Sequence, residues 1–140
     1  MSAMAVEITG EYTGRLGTRV RHGPSGAELR TAAPVDNQGD GSSFSPTDLV
    51  AAALGTCMLT ILGILAQRDG IDLQGSHFRV EKHMQSDPRR IASLPVTLHL
   101  PRALTPAQRT KMERGALTCP VHHSLLEAIE KEVTFVYDLE

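Results

Sequence analysis

SPTDLVAAALGTCMLTILGILAQ, residues 45–67, predicts the long helix around which the rest of the chain is organised. Ser45 offers an N-cap hydroxyl, and Pro46 suits the first helical position. Gly70 is a natural stop. Apolar or small residues follow the start at spacings of four: Leu49, Ala53, Cys57, Ile61 and Leu65. We therefore expect a long, mostly buried central helix that carries a cysteine.

Alternating segments on both sides of this helix predict strands. VEITGEYT, TRVRH and AELRTAA precede the helix and are separated by glycine-containing turns. SHFRVEKHMQ and LPVTLHLP follow it, with a turn at Asp87-Pro88, and EVTFVYDL ends the chain. Two further helices are expected, from Pro106 to Leu117 and from Cys119-Pro120 to about Glu130. This order predicts an α+β fold class and a single domain over residues 1–140.

Composition and charge exclude several classes of partner. The net charge of −2 gives no electrostatic reason to expect a nucleic-acid partner. The N-terminal sequence lacks the basic start and apolar stretch of a secretory signal. The longest apolar run is interrupted by Gly55, Thr56, Thr60 and Gly63, so we expect it to fall short of a membrane span. We expect a cytoplasmic protein with no membrane partner, in which a cysteine pair is more often reactive or metal-bound than structural.

The two cysteines lie in different local settings. Cys119 directly precedes Pro120, which makes it an N-cap residue, and the positive end of a helix stabilises a thiolate. A small buried residue that happens to precede a helix is the alternative. Cys57 lies twelve residues into its helix, where apolar surroundings raise a thiol pKa. A nucleophilic Cys57 needs a cation from outside its helix, so its position alone favours an inert core residue.

Asp48 is the acidic residue that precedes Cys57 on the same helix. At about 100° and 1.5 Å per residue, the two side chains lie on opposite faces, roughly 13 Å apart along the axis. A direct contact is therefore not expected. Asp48 either caps its helix, which the position favours, or orients a basic residue that reaches the thiol.

A second cluster, Cys119, His122 and His123, has the spacing of metal ligands, and Cys57 could complete a zinc site. Histidines just beyond an N-cap more commonly face solvent or pack against neighbours. The remaining histidines, which are His22, His77, His83 and His99, show no pairing pattern and receive no role.

The run SPTDLVAAALGTC at residues 45–57, followed by CPVH at residues 119–122, resembles the OsmC/Ohr family. The order of elements is also similar, and the resemblance covers nearly the whole chain. The two cysteine motifs are specific when taken together. The PSG hairpin, the APVDNQGDG loop and the SPTDL helix start are most similar to a subgroup distinct from the classical OsmC and Ohr branches.

The resemblance implies antiparallel strands around the cysteine-bearing helix and an intertwined homodimer with active sites at the subunit interface. It implies a thiol peroxidase that prefers organic hydroperoxides, uses no cofactor and is recycled by a dithiol such as dihydrolipoamide. Cys57 would be the peroxidatic cysteine, Cys119 the resolving one, and Arg15 the cation beside the Cys57 thiolate, with Arg19 as second candidate. Apolar neighbours such as Leu54, Met58 and Ile61 would receive the alkyl group of the peroxide.

One departure from the family concerns the helix start. The better-studied branches have a glutamate just after the helix-start proline, and it holds the arginine in place. Here Thr47 stands there and Asp48 follows, so Asp48 is the candidate acid, and the departure implies machinery that would be weakened, rearranged or specialised for another substrate. The alternatives are a non-enzymatic redox sensor, a metal-binding protein using Cys119, His122 and His123, and a small-ligand-binding protein.

Overall fold

Eight strands and three helices form from these segments in a computed structural model, which describes residues 5–140. The elements are β1 Ile8–Gly14, β2 Gly17–His22, β3 Glu28–Ala32, α1 Pro46–Arg68, β4 His77–Val80, β5 His83–Gln85, β6 Arg90–Ser93, β7 Val96–Pro101, α2 Pro106–Ala116, α3 Pro120–Ser124 and β8 Val133–Leu139. The predicted α+β class is confirmed. The described chain divides into two compact units, one ending at Leu49 and the other Val50–Glu140. The single domain expected over residues 1–140 stays a prediction.

The first unit contains an antiparallel sheet in the order β1-β2-β3, as the hairpin signals predicted. Its cross-strand register sorts the side chains onto two faces, because neighbours in register share a face. One face carries charged residues, among them the ion pair of Arg19 with Glu11. The other carries apolar residues, including Ile8 and Tyr12, which are 62% and 67% exposed. The apolar face therefore lies open in the single chain.

The second unit packs α1 against the sheet β4-β7-β8. Alternate residues of β7, which are Val96, Leu98 and Leu100, are buried in the core, as their pattern predicted. β4 pairs with β7 in the antiparallel sense, but β7 and β8 run parallel. Their connection passes through α2 and α3, and a crossover of this length permits parallel pairing. The expected antiparallel arrangement is therefore confirmed except at this pair.

The start of α1 is fixed by reciprocal capping. The Ser45 hydroxyl accepts a hydrogen bond from the Asp48 amide at 3.1 Å, and the Asp48 carboxylate accepts one from the Ser45 amide at 2.8 Å. This is a capping box with aspartate at its third position, which satisfies two otherwise unpaired donors. The predicted N-cap is confirmed, and Asp48 serves its own helix.

The expectation that α1 is mostly buried is wrong for the single chain. The buried residues are Ala51, Leu54, Gly55, Met58, Leu62 and Ala66, whereas Thr56, Thr60, Ile64 and Gln67 are exposed. By length and composition alone, the expectation that the run falls short of a membrane span is also wrong, since α1 has 23 residues and a window of 18 of them has a mean hydropathy of 2.3. A buried core helix passes the same test, and one face of α1 is part of this core.

Two segments differ from prediction, because tertiary contacts determine their secondary structure. SHFRVEKHMQ was expected as one strand, but it divides into β4 and β5, which belong to different sheets, and β5 pairs with the unpredicted β6. The helix after Cys119 was expected to reach Glu130, but it ends at Ser124. The chain beyond it buries Ile129 and hydrogen-bonds through Glu130 to Leu94 and Ala92. These contacts require extended backbone and override local helix propensity.

Candidate functional site

The two cysteines meet inside the second unit. Cys57 is partly buried on α1, Cys119 has no exposed surface, and both are free thiols. Burial raises the pKa of the Cys119 thiol above its usual value, and a hydrogen bond with Cys57 raises it further. Both thiols belong to the same packed cluster, and cysteines can be joined by a disulfide where their Cα atoms lie within about 7 Å. Residues separated by 62 positions in the sequence are thus brought together in one packed cluster.

Cys119 caps the short helix α3. Its Sγ accepts a hydrogen bond from the His122 amide at 3.4 Å, and Pro120 occupies the first helical turn. The predicted N-cap is therefore confirmed. The backbone amides of His122 and Val121 lower the pKa of Cys119, which is the predicted effect of the N-cap position, but burial is the largest effect and the pKa is raised. The raised pKa favours the protonated form of the Cys119 thiol.

The metal-binding alternative lacks support from the geometry. Within residues 5–140, no group of three His, Cys, Asp or Glu side chains is placed to hold a metal ion. The imidazoles of His122 and His123 meet edge to face, with centroids 5.8 Å apart. Nδ1 of His122 is buried and has no hydrogen-bond partner in this part of the chain. Burial, followed by the charges of Lys131 and His123, lowers the pKa of His122 and favours its neutral form.

Arg15 occupies a strained hairpin turn in the first unit. Arg15 and Leu16 have φ values of 54° and 61°, in the left-handed region that costs a non-glycine residue about 1–2 kcal/mol. Two hydrogen bonds hold the turn: the Leu16 amide donates to the Tyr12 hydroxyl at 3.2 Å, and the Ala33 amide donates to the Leu16 carbonyl at 3.0 Å. Strain of this kind persists where surrounding contacts enforce it, often at functional positions.

A polar cleft of about 500 Å³ adjoins this turn. Arg15, Arg30 and Asp40 contribute charged groups to it, and the remaining lining residues are Thr13, Gly14, Gly17, Thr31, Ala32, Ser42 and Ser43. Hydrogen bonds from Ser42, with a smaller contribution from the Arg15 charge, lower the pKa of the Asp40 carboxyl. Sequence reasoning missed Asp40, although its position between two glycines was a signal of a tight loop.

The two candidate arginines have different surroundings. Arg19 lies on the charged face of the sheet, where both it and its ion-pair partner Glu11 are more than half exposed. Arg15 instead lines the cleft. Arg15 and Asp48 belong to the unit that ends at Leu49, whereas the thiols belong to the other, so the roles of both residues toward Cys57 stay predictions.

The apolar residues expected to receive a substrate are placed differently from the prediction. Leu54 and Met58 have no exposed surface and belong to the core cluster, so they do not line an open cavity. Ile61 is only partly buried. A helix turns by about 100° per residue, so Met58 is turned away from Cys57, whereas Leu54 and Ile61 lie on the same side of α1 as Cys57.

Comparison with known proteins identifies a family and several similar structures. Residues 39–134 match the family model described as OsmC-like protein. A protein from Psychrobacter arcticus 273-4, named provisionally as an osmotic stress induced and detoxification response protein, is 39% identical over 96% of this chain and 97% of that chain, with a TM-score of 0.87. No protein with a curated description matches the chain.

More distant structures share the fold. The organic hydroperoxide resistance protein OsmC from Legionella pneumophila is 19% identical over 97% of this chain and 99% of that chain, with a TM-score of 0.72. An organic hydroperoxide resistance protein from Elizabethkingia anophelis is 15% identical over 98% and 99% of the two chains, with a TM-score of 0.75.

Proposed function

The chain belongs to the OsmC-like protein family, and from that premise we propose that it is a cytoplasmic thiol peroxidase that reduces organic hydroperoxides. The observation that carries the proposal is the contact between the free thiols of Cys57 and Cys119. A reactive thiol beside a second thiol can be oxidised and then resolved without over-oxidation. The names of two distant structural relatives refer to organic hydroperoxide resistance, which agrees with this chemistry.

The unequal burial of the two thiols supports a division of roles. Cys57 is partly exposed, which favours it as the thiol that meets the peroxide, whereas Cys119 has no exposed surface and a raised pKa. The Cys57 thiolate attacks the hydroperoxide ROOH, forming a sulfenic acid and releasing the alcohol ROH. The Cys119 thiol then condenses with the sulfenic acid, forming a disulfide and water. A dithiol such as dihydrolipoamide reduces the disulfide and restores both thiols.

Arg15 is the proposed cation for the Cys57 thiolate. Its guanidinium can stabilise a negative charge and hydrogen-bond the oxygens of a peroxide at once. Lowering a thiol pKa by two units requires about 2.7 kcal/mol, which one partly buried charge pair can supply. Asp48, which caps α1, keeps its proposed second role of orienting this arginine.

Exposed apolar surface supports the proposed homodimer. Val6, Ile8 and Tyr12 are each more than half exposed, and Ile64 interrupts the exposed polar face of α1. Apolar side chains grouped on one face of a sheet usually mark an interaction surface. A second copy of the chain is the partner that an intertwined dimer requires.

A substrate comparison tests the function. We expect the purified reduced protein to consume cumene hydroperoxide with a kcat/KM at least about tenfold higher than for hydrogen peroxide, because each buried methylene group contributes about 0.8 kcal/mol. Peroxide loss is followed with dihydrolipoamide as reductant. Failure of both peroxides to oxidise the thiols would refute the peroxidase proposal, and stoichiometric oxidation without turnover would favour a redox sensor.

Paired arginine variants test which cation serves Cys57. We expect Arg15→Gln to lower kcat/KM for cumene hydroperoxide about 100-fold, which corresponds to losing about 2.7 kcal/mol of thiolate stabilisation. Arg19→Gln removes the same charge from an exposed ion pair and is expected to change kcat/KM less than about threefold. The thiolate absorbance of both variants is titrated in parallel. A larger loss in Arg19→Gln would reassign the role.

A further inference from the structure

The buried imidazole of His122 is a polar group that the proposed reaction has not yet used. Among residues 5–140, its Nδ1 is the buried side-chain nitrogen that has no hydrogen-bond partner. His122 lies on the short helix α3, one turn from Cys119. An unpaired buried polar group lowers stability, and a role in catalysis is one reason for which a native structure retains such a group.

The capping geometry of α3 turns the His122 side chain toward Cys119. Cys119 is the N-cap residue and His122 the third helical residue, and the Cys119 Sγ accepts a hydrogen bond from the His122 amide at 3.4 Å. In a capping box, the side chain of the third residue turns back to the N-cap. Helix α2 has this arrangement, because Gln108 Oε1 accepts a hydrogen bond from the Thr105 amide at 2.8 Å. In α3 the Cys119 amide donates instead to the Ala116 carbonyl, which leaves Nδ1 unpaired.

The proposed resolving step requires a proton acceptor at Cys119. A thiolate attacks sulfur, whereas a thiol does not. Burial raises the pKa of the Cys119 thiol, so the thiolate does not form readily by itself. Cys119 also has no exposed surface, so bulk water does not reach its proton. The proton therefore has to pass to a neighbouring group of the protein.

We propose that His122 is the general base of the resolving step and accepts the proton of the Cys119 thiol at Nδ1. This inference rests on the proposed peroxidase function. As the Cys119 sulfur attacks the sulfenic acid of Cys57, the S–S bond forms, the S–O bond breaks, and its electron pair leaves with the hydroxide. The imidazolium then gives its proton to this oxygen, so water is released and His122 returns to its neutral form.

The surroundings of His122 favour the form that accepts a proton. Burial is the largest effect and lowers the pKa of His122, and the charges of Lys131 and His123 lower it further. The neutral imidazole, which has a lone pair on one ring nitrogen, therefore predominates at neutral pH. Lys131 is itself fixed by hydrogen bonds from Nζ to two backbone carbonyls. The other titratable groups of this region are the thiols of Cys57 and Cys119.

A single-turnover experiment without reductant separates the resolving step from the attack on peroxide. The reduced full chain is mixed with one equivalent of cumene hydroperoxide, and peroxide loss and disulfide formation are followed separately. His122→Gln is expected to keep the rate of peroxide loss within about twofold and to slow disulfide formation at least about 100-fold. Dimedone should therefore trap the sulfenic acid of Cys57 in this variant. Glutamine preserves the capping geometry, as Gln108 does in α2.

The pH dependence distinguishes a general base from a structural role. Between pH 7 and pH 9, disulfide formation in the unchanged protein should vary little, because His122 is neutral throughout. In His122→Gln the rate should rise about tenfold per pH unit, because the thiolate then forms without a base. A slow variant whose rate does not respond to pH would overturn the proposal.

His123→Gln is the matched control, because it removes the neighbouring, exposed imidazole. Its rate of disulfide formation is expected to stay within about twofold of that of the unchanged protein. Disulfide formation by His122→Gln at the unchanged rate would overturn the proposal and leave the peroxidase function standing. Absence of peroxide loss in every protein would refute the proposed function, and this proposal with it.

Discussion

Replacing Cys57 with serine is expected to abolish organic hydroperoxide turnover, with kcat/KM falling at least about 1,000-fold. A serine hydroxyl is not ionised at neutral pH and forms no sulfenic acid, so the first chemical step has no nucleophile. Cys119 is not expected to replace it, since its sulfur is fully buried and its pKa is raised. Turnover of cumene hydroperoxide under a dithiol reductant measures the effect.

Cys119→Ser is the matched control, because it makes the same substitution at the other member of the pair. Without reductant it is expected to consume one equivalent of peroxide and then stop with a sulfenic acid at Cys57, which dimedone traps for mass spectrometry. Cys57→Ser should trap nothing after the same treatment. Trapping at Cys119 in Cys57→Ser would reverse the assigned roles, and full turnover by Cys57→Ser would refute the mechanism.

Leu62→Ala is expected to have the second large effect, a loss of about 2–5 kcal/mol in the free energy of unfolding. Leu62 is fully buried on α1, and it lies over Gly115 of α2. At Gly115 an added Cβ would overlap Leu65, so the absence of a side chain lets the two helices approach closely. Truncation of Leu62 therefore leaves a cavity between α1 and α2, and these closely packed helices cannot easily move together to fill it. Urea unfolding at constant protein concentration measures the loss.

Leu126→Ala removes the same atoms from an exposed position. Leu126 is 65% exposed and lies outside the core cluster, so its truncation is expected to change the free energy of unfolding by less than about 0.5 kcal/mol. Equal effects of the two truncations would contradict the placement of Leu62 in the core. Loss of helix propensity does not contribute to the effect at position 62, because alanine favours the helix at least as strongly as leucine.

Local chemistry made some elements predictable and left others to tertiary contacts. Ser45 and Pro46 specify the start of α1 through capping, and glycines specify the first hairpins, so both were found from sequence. The end of α3 depends instead on the burial of Ile129 in the core and on the β-bridge between Glu130 and Ser93. Contacts of this kind involve distant segments, which a local pattern does not contain.

In the candidate site, too, some features were predictable from local sequence and others depend on tertiary contacts. Motif resemblance identified both cysteines, but the raised pKa of Cys119 follows from burial against Cys57, which the N-cap position by itself does not reveal. Outside the site, the stacking of His77 on His99 was likewise missed, because it depends on the register between β4 and β7. Spacing in sequence gives no measure of that register.

The hairpin turn that contains Arg15 has a consequence for protein engineering. Two-residue turns with both central residues at positive φ favour Asn-Gly, and here Arg15 and Leu16 take those positions. A redesign that considers stability alone would replace Arg15 and Leu16 by Asn and Gly first. The substitution removes a backbone strain of about 1–2 kcal/mol at each position. The same replacement deletes the guanidinium on which the proposed chemistry depends. A heat-tolerant variant obtained in this way is expected to be folded but to lack the proposed peroxidase activity.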